Sequence, residues 1–192
     1  GSVCVDDLQP VTALGGATPQ IDTIGTITIA ENDGVALASV AARRGKSAAV
    51  TQVLKKVLGG DPPGPGRARL HDPEAGFWMG PDQWMIGAPR VTHELLADDL
   101  KAKLGDNASV TEQTGAWVCF DVTGAAMLDM CELLCAIPIR QMMAGDTRRT
   151  TIHHLSCFVI RREADDHIRI FGPRASAGSL HHALTGAAHS VA

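Results

Sequence analysis

Residues 109–135 read SVTEQTGAWVCFDVTGAAMLDMCELLC, and the order of elements in this stretch sets the class of fold. Residues 109–112 and 116–122 are rich in β-branched and aromatic side chains on either side of a Thr-Gly pair, which predicts two strands. A helix is predicted to follow over residues 125–135 because apolar side chains recur there at helical spacing. Consecutive strands followed by a helix favour an α+β fold over a doubly wound α/β sheet.

The remainder of the second half repeats this order. A long strand is predicted over residues 150–162, and residues 167–171 are predicted to pair with it across a polar turn at 163–166. A last helix is predicted over residues 177–188. The second half therefore has the order β, β, α, β, β, α.

The first half also mixes strands and helices. Residues 35–44 are rich in Ala and Leu, which have high helix propensity, and Thr92 is a candidate N-cap. The predicted elements are a strand at 24–30, helices at 35–44, 47–58 and 93–104, and a hairpin of residues 75–79 and 84–88.

Three segments are predicted within one compact unit. Residues 1–22 form an irregular N-terminal arm, because prolines and glycines interrupt any periodicity there, and such an arm often lies on a partner. Residues 23–106 form a first α+β lobe and residues 107–192 a second. The proline- and glycine-rich stretch 61–66 is a linker or long surface loop.

Composition excludes several classes of function. The chain has 192 residues, 45% of them hydrophobic, and 17 basic against 21 acidic residues. It has no basic run that could follow a phosphate backbone, so nucleic acid is not an expected partner. No apolar stretch reaches the roughly 18 residues that cross a bilayer. Five cysteines without CxxC spacing, and no visible export signal, predict reduced thiols and a cytoplasmic location.

Two glycine-containing motifs resemble phosphate-binding loops only superficially. Gly45-Lys46-Ser47 matches the end of a P-loop, but the leading glycine position is Val40 and a helix is predicted before the loop. Gly64 and Gly66 are followed by Arg69 where a dinucleotide loop needs a third glycine. The sequence therefore predicts no nucleotide-phosphate site.

Cysteine and histidine pairs are candidate metal ligands. Cys131 and Cys135 lie one helical turn apart, and His153-His154 and His181-His182 occur elsewhere. The alternative interpretation is that both thiols behave as small buried hydrophobes, since they sit among Leu128, Met130, Leu133 and Leu134. Met127, Cys131 and Leu134 are expected to share one buried helix face. Adjacent histidines in the predicted strand would point to opposite sides, which disfavours a shared metal ion.

No catalytic centre is predicted, since the chain has neither a GxSxG nor an HExxH motif. Trp78, Trp84 and Trp117 are expected to pack in the core, with interface contacts as the alternative. Arg148 and Arg149 form either a solvated turn or a site for a carboxylate or a partner's acidic side chain. No residue is assigned as catalytic, cofactor-binding or metal-binding.

Collinear segments along nearly the whole chain resemble the gamma subunits of heterotetrameric sarcosine oxidases. These segments are PVTALGG (10–16), ALASVAARRG (36–45), GPDQW (80–84), VTEQTGAW (110–117), FDVTG (120–124), LC (134–135), RTTIHH (149–154) and GPRASAGSLHHAL (172–184).

The resemblance implies two α+β lobes like those of the folate-binding domains of aminomethyltransferases. It implies a non-catalytic gamma subunit that packs with alpha, beta and delta subunits, which carry FAD, FMN, NAD and tetrahydrofolate. The implied reaction of the complex is oxidative demethylation of sarcosine to glycine, with hydrogen peroxide and either formaldehyde or 5,10-methylenetetrahydrofolate as further products. No binding residue transfers by motif. A subunit of a related N-methyl amino acid dehydrogenase and an independent folate or pterin module remain the alternatives.

Overall fold

The structure is a computed structural model that describes residues 9–71, 73–163 and 166–192. In these ranges lie eleven strands and four α-helices. Their bounds are β1 Ile21–Ile24, β2 Ile27–Glu31, β3 Val35–Ala42, α1 Ser47–Val57, β4 Ala68–Arg69, β5 Ala75–Gly80, β6 Gln83–Pro89, α2 Leu96–Leu104, β7 Ala108–Glu112, β8 Trp117–Gly124, α3 Met127–Leu134, β9 Thr147–Ile152, β10 Leu155–Arg161, β11 His167–Pro173 and α4 Ala177–Val191.

The strands form two antiparallel sheets. One has six strands in the order β1-β2-β8-β11-β10-β9, and the other has five in the order β4-β5-β6-β3-β7. Every described strand pairing is antiparallel. The α+β class predicted from the sequence is confirmed.

The two sheets lie face to face, with helices on the outer face of each. In β8, Val118, Phe120 and Val122 belong to the core that includes residues of α3 and α4, whereas Cys119 belongs to the core between the sheets. This division follows from the two-residue repeat of a strand, which sends alternate side chains to opposite faces. The five-stranded sheet packs its outer face against α1 and α2.

Aromatic side chains fill part of the space between the sheets. The ring of Phe77, on β5, lies 5.0 Å from that of Phe158 on β10 and 5.6 Å from that of Phe171 on β11, measured between centroids. Such contacts fix the separation of the sheets at this point and leave an opening beside them.

The sheets are also joined along one pair of edges. The Ala68 N–H donates to the Gly145 carbonyl at 2.7 Å, and the Thr147 N–H donates to the Gly66 carbonyl at 2.8 Å. Arg67 and Asp146 form an ion pair across the same junction. The 61–66 stretch predicted as a linker or loop thus runs into the seam between the edge strands β4 and β9.

The helix predicted over residues 35–44 is wrong, because this segment is the strand β3. It pairs with β6 on one side and β7 on the other. Ala36, Ala38 and Val40 alternate toward the α1 and α2 layer and are at most 1% exposed. Hydrogen bonding on both sides, together with burial, outweighs the small difference in helix propensity.

The strand predicted over residues 150–162 is wrong as a single element. It is the hairpin of β9 and β10, with a turn at His153 and His154, whose φ angles are 47° and 67°. The single strand predicted over residues 24–30 is also divided, because this range contains the turn of the β1-β2 hairpin, where Gly25 has a φ of 56°. The helix predicted from residue 93 begins at Leu96 and has no side-chain cap.

Other sequence predictions are confirmed. The helices predicted at 47–58, 125–135 and 177–188 correspond to α1, α3 and α4, and the 75–79 and 84–88 hairpin corresponds to β5 and β6. Residues 167–171 lie in β11, which pairs with β10. Residues 164 and 165 of the predicted polar turn lie outside the described residues.

Sheet membership does not follow the predicted division into residues 23–106 and 107–192. The β1-β2 hairpin of the first range belongs to the six-stranded sheet, and β7 of the second range belongs to the five-stranded sheet. The segments exchange because β2 pairs with β8 and β7 pairs with β3.

The described part of the predicted N-terminal arm is irregular over residues 9–20, and residues 21 and 22 begin β1. Glu31, which is 5% exposed, accepts the N–H groups of Leu14 at 2.9 Å and Gln20 at 3.1 Å. Residues 1–8 of this arm lie outside the described residues. Its contact with a partner stays a prediction.

Candidate functional site

A cavity of about 280 Å³ lies between the two sheets. Its apolar lining includes Leu37, Phe77, Ile160 and Phe171. The guanidinium-bearing side chains that line it are Arg69, Arg162 and Arg169. The cavity therefore combines aromatic and aliphatic walls with cationic groups, as small-molecule sites commonly do.

Strand alternation explains why the cationic groups face this space. In β11, Ile168 and Ile170 pack toward α3 and α4, so Arg169 and Phe171 face the opposite sheet. Arg69, on β4, donates from Nε to the Leu58 carbonyl and from Nη2 to the Gly59 carbonyl, both at 2.7 Å. These bonds hold the Arg69 side chain against the end of α1.

Asp121 is the centre of a polar network beside the cavity. Its Oδ1 accepts from Arg169 Nε at 2.7 Å, and its Oδ2 accepts from Arg169 Nη2 at 2.8 Å, which is a bidentate pair. Asn32 Nδ2 donates to Oδ2 at 2.7 Å, and His167 Nε2 lies 3.0 Å from Oδ1. The β8-β11 register places Asp121 directly opposite Arg169.

The network determines the protonation of Asp121. Burial alone would raise its pKa, but hydrogen bonds from His167 and Arg169, with the positive charge of Arg169, hold the pKa well below its usual range. The carboxylate is thus ionised at neutral pH, and its negative charge offsets that of Arg169.

The neighbouring thiol is not an activated nucleophile. Cys119 is 5% exposed, and burial raises the pKa of its thiol far above the usual value. A thiol that stays protonated is a poor nucleophile. The cavity offers apolar contact and cation-mediated binding, and the described residues around it give no reason to assign a bond-breaking step.

Gly45 and Lys46 are exposed residues directly before α1, and the half-buried Ser47 is the first residue of that helix. The expectation that a helix precedes this segment is wrong, since β3 does. Val40 nevertheless lies inside that strand and is 0% exposed, so the position of the P-loop's first glycine is part of the sheet core. The mismatch with a phosphate loop therefore remains.

The candidate metal ligands are not brought together in the described part of the chain, where no group of three His, Cys, Asp or Glu side chains is placed to hold a metal ion. Cys131 is 2% exposed in the core, and Leu134 packs against that core half-buried. The expectation that His153 and His154 point to opposite faces of a strand is wrong, because both lie in the β9-β10 turn.

His181 Nε2 lies 2.7 Å from Asp22 Oδ2, and this contact links α4 to β1.

The tryptophans serve mainly in packing. Trp84 is 7% exposed and donates from Nε1 to the Pro63 carbonyl at 2.9 Å, which anchors the 61–66 stretch. Trp78 lies directly across the hairpin from it. Trp117 packs against Phe158 with ring centroids 5.6 Å apart.

Arg148 and Arg149 lie in strand β9 and not in a solvated turn. Arg148 Nη1 donates to the carbonyls of Gly66 at 3.0 Å and Thr147 at 2.9 Å. Arg149 Nε donates to Ser156 Oγ at 3.0 Å, and its guanidinium carbon lies 5.7 Å from the Phe158 ring centroid. Arg148 therefore strengthens the seam between the sheets.

The cavity arginines and the Asp121 network were not predicted from the sequence. The sequence shows only that Asp121 stands between Phe120 and Val122 and that Arg169 stands between two isoleucines. The same alternation is typical of a strand with one face in solvent, so it predicts a second face but not what that face contacts. Only the pairing of β8 with β11 shows that the two charges meet.

No protein-family model matches the chain, and no curated protein matches it. The solved structures that share its fold include the following two. One is a heterotetrameric sarcosine oxidase from Corynebacterium sp. U-96 in complex with pyrrole 2-carboxylate, with 18% identity and a TM-score of 0.75 over 90% of this chain and 88% of that chain. The other is the glycine cleavage system aminomethyltransferase T from Bartonella henselae, with 14% identity and a TM-score of 0.58 over 81% of this chain.

The chain spans less than half of that aminomethyltransferase, 44% of whose length is covered. At these identities the comparisons establish architecture and not activity. Within the described residues, no helix is both long and apolar enough to cross a bilayer. The chain has the aminomethyltransferase-like α+β fold that its sequence resemblance implies.

Proposed function

We propose that this chain is a non-catalytic subunit of a heteromeric sarcosine-oxidising flavoenzyme, equivalent to the gamma subunit of a heterotetrameric sarcosine oxidase. The observation that carries the proposal is reciprocal coverage: the alignment takes in 90% of this chain and 88% of the sarcosine oxidase chain. The two chains are therefore nearly equal in length as well as alike in fold.

The chemistry of the chain's thiols agrees with a supporting role. Burial raises the pKa of Cys131 to about 12 and that of Cys157 to about 11, so both remain protonated and unreactive at neutral pH. Two acid–base pairs, Asp121 with Arg169 and Asp22 with His181, link separate elements of the fold. These groups stabilise the subunit, and the redox chemistry is assigned to its partners.

In this proposal the partners are the alpha, beta and delta subunits, which hold FAD, FMN, NAD and tetrahydrofolate. The complex oxidises sarcosine to glycine in the cytoplasm, with hydrogen peroxide and formaldehyde or 5,10-methylenetetrahydrofolate as further products. The gamma-like chain contributes surface and stability to the assembly.

The test is co-expression with the three candidate partner subunits and purification through a tag on this chain. We expect a yellow complex that absorbs in the flavin bands and oxidises sarcosine. The partners expressed without this chain and passed over the same resin are the control for non-specific retention. Recovery of this chain alone, colourless and monodisperse, would contradict the proposal.

Two alternatives have distinct outcomes in the same experiment. A yellow complex that oxidises another N-methyl amino acid in preference to sarcosine identifies the subunit of a related dehydrogenase. The arginine-lined cavity favours the second alternative, an independent folate or pterin module. In that case the chain is recovered alone and releases or absorbs heat when titrated with tetrahydrofolate.

A further inference from the structure

We propose that Met143 is a site of reversible oxidation, where hydrogen peroxide converts the thioether to a sulfoxide without disturbing the fold. This modification goes beyond the proposed subunit role, because it requires only this chain and a peroxide. Under that role the oxidant would also be formed nearby, since hydrogen peroxide is a product of the proposed complex.

The reaction needs no catalytic group. The sulfur lone pair attacks one oxygen of the peroxide, the O–O bond breaks, and an S–O bond forms as water leaves. Sulfur loses two electrons, and the peroxide is reduced. Sulfoxide reductases, one for each sulfoxide epimer, return the product to methionine, so the change is reversible.

Exposure distinguishes Met143 from the other five methionines of the chain. Met143 is 74% exposed, whereas four others are at most 5% exposed, namely Met85, Met127, Met130 and Met142. The remaining one, Met79, is half-buried against the core between the sheets. Peroxide reaches a buried sulfur atom only when the fold opens locally. Met143 should therefore react first.

The described thiols do not compete for the peroxide. Cys119, Cys131 and Cys157 are buried and Cys135 is half-buried, and burial raises the pKa of each thiol. The thiolate is the reactive form of cysteine, so these protonated thiols react slowly. Cys4 lies outside the described residues, and its oxidation is followed in a separate peptide.

The backbone at Met143 is held independently of its side chain. The Met143 N–H donates to Asp146 Oδ2 at 2.9 Å, and the Met143 carbonyl accepts the Asp146 N–H at 2.8 Å. Asp146 also pairs with Arg67 at the seam between the sheets. None of these contacts uses the thioether, so a sulfoxide at this position should leave the seam intact.

The adjacent residue Met142 has the opposite environment. It is 5% exposed and belongs to the core that includes residues of α3 and α4. A polar sulfoxide in such a core disrupts packing. Two neighbouring methionines therefore differ both in access to peroxide and in the consequence of oxidation.

Hydrogen peroxide at millimolar concentration, added to the full chain without partner subunits, tests the site. Peptide mass mapping measures the gain of one oxygen at each methionine over time. We expect Met143 to be oxidised at least about tenfold faster than Met142, because Met142 reacts only through local opening. In urea the fold is lost, and all six methionines should then react at similar rates.

The same sample tests whether the fold tolerates the change. The melting temperature of the chain oxidised only at Met143 should shift by no more than about 2 °C, as for other surface changes in a chain of this length. Treatment with sulfoxide reductases should restore the original mass.

Two variants assign the reacting sulfur, since Met142 and Met143 lie in one tryptic peptide, residues 141–148. Leucine keeps a similar apolar volume without a sulfur atom. Met143→Leu should lose the fast oxidation, and the matched control Met142→Leu should keep it. If Met142→Leu fails to fold, Met79→Leu takes its place as the control.

Equal oxidation rates of Met143 and Met142 in the native chain would overturn the proposal. So would fast oxidation that survives in Met143→Leu, or a preference for Met143 that persists in urea. A large fall in melting temperature after oxidation of Met143 alone would refute a site that tolerates the sulfoxide. Because the peroxide is added and the chain is used alone, these outcomes are separate from any failure of assembly with flavin-bearing partners.

Discussion

Replacing Asp121 by asparagine should destabilise the protein substantially. Both carboxylate oxygens accept an N–H from Arg169, so an amide NH₂ group in either orientation would face a guanidinium donor. Asn32 and His167 also contact the carboxylate. The variant therefore leaves an arginine in the space between the sheets with one acceptor lost and no compensating negative charge.

The magnitude follows from burial. Breaking a buried ion pair by removing one partner costs about 3–5 kcal/mol, and the side chains of Arg169 and Asp121 retain 18% and 17% exposure. Partial access of water places the expected loss near the lower limit, about 3 kcal/mol. For a chain of this length, the melting temperature should fall by about 6–12 °C.

Urea denaturation and differential scanning calorimetry at neutral pH measure this loss. Asp129→Asn is the matched control, because it removes one carboxylate from an Arg140 ion pair whose side chains are half exposed, and surface pairs contribute little. Equal melting temperatures for the two variants would refute the reasoning. The double replacement Asp121→Leu with Arg169→Met should recover part of the loss, since an apolar pair needs no charge compensation but leaves Asn32 and His167 without the carboxylate that they contact.

Acid should destabilise the wild type more than Asp121→Asn. The depressed pKa of Asp121 means that its contribution is present above the unfolded value of about 3.9 and is lost as pH falls below it. Urea denaturation as a function of pH should therefore give a shallower slope for the variant, and parallel slopes would contradict this. Trp84→Phe should cost about 1–2 kcal/mol, because it leaves the Pro63 carbonyl without its 2.9 Å donor. The same change should speed proteolysis of residues 59–66, and an unchanged cleavage rate would show that the bond does not anchor this stretch. Replacing His153 and His154 by Asn-Gly should stabilise the hairpin by about 1 kcal/mol, since both positions have positive φ. An unchanged or lower melting temperature would show that the histidines make a compensating contact.

The sequence predicts the structure correctly where the local pattern and the tertiary environment agree. Helix α1 carries its apolar residues at helical spacing, with Val50 and Leu54 buried on one face. The turn-forming residues Gly80-Pro81-Asp82 predict the β5-β6 hairpin, and Asp82 adopts a φ of 57° in that turn. In these segments the local preference is also the arrangement that buries apolar surface.

The prediction of a helix fails at β3 because the secondary structure of an alanine-rich segment depends on which strands or helices lie beside it. Alanine stabilises an isolated helix, but its small side chain also lets helices approach a central strand closely. The choice between helix and strand depends on the pairing partners β6 and β7, whose paired residues all lie more than 40 positions later in the chain. Such long-range hydrogen bonding cannot be predicted from the sequence of the segment alone.

The candidate site could not be predicted for a related reason. Arg69 comes from the edge strand of one sheet and Arg169 from the middle of the other, and no spacing along the chain connects them. Alternation predicts that Arg169 faces away from Ile168 and Ile170. What lies on that side depends on how the sheets stack.

The seam between β4 and β9 also bears on aggregation. Unpaired strand edges are templates on which a second chain can add hydrogen bonds. The contacts of Gly66 and Ala68 with Gly145 and Thr147 occupy the start of β4 and of β9 on their outer edges. Among the described strands, the remaining outer edges are β1 and β7, of four and five residues. Short edges of this kind offer little length on which a second chain could add hydrogen bonds.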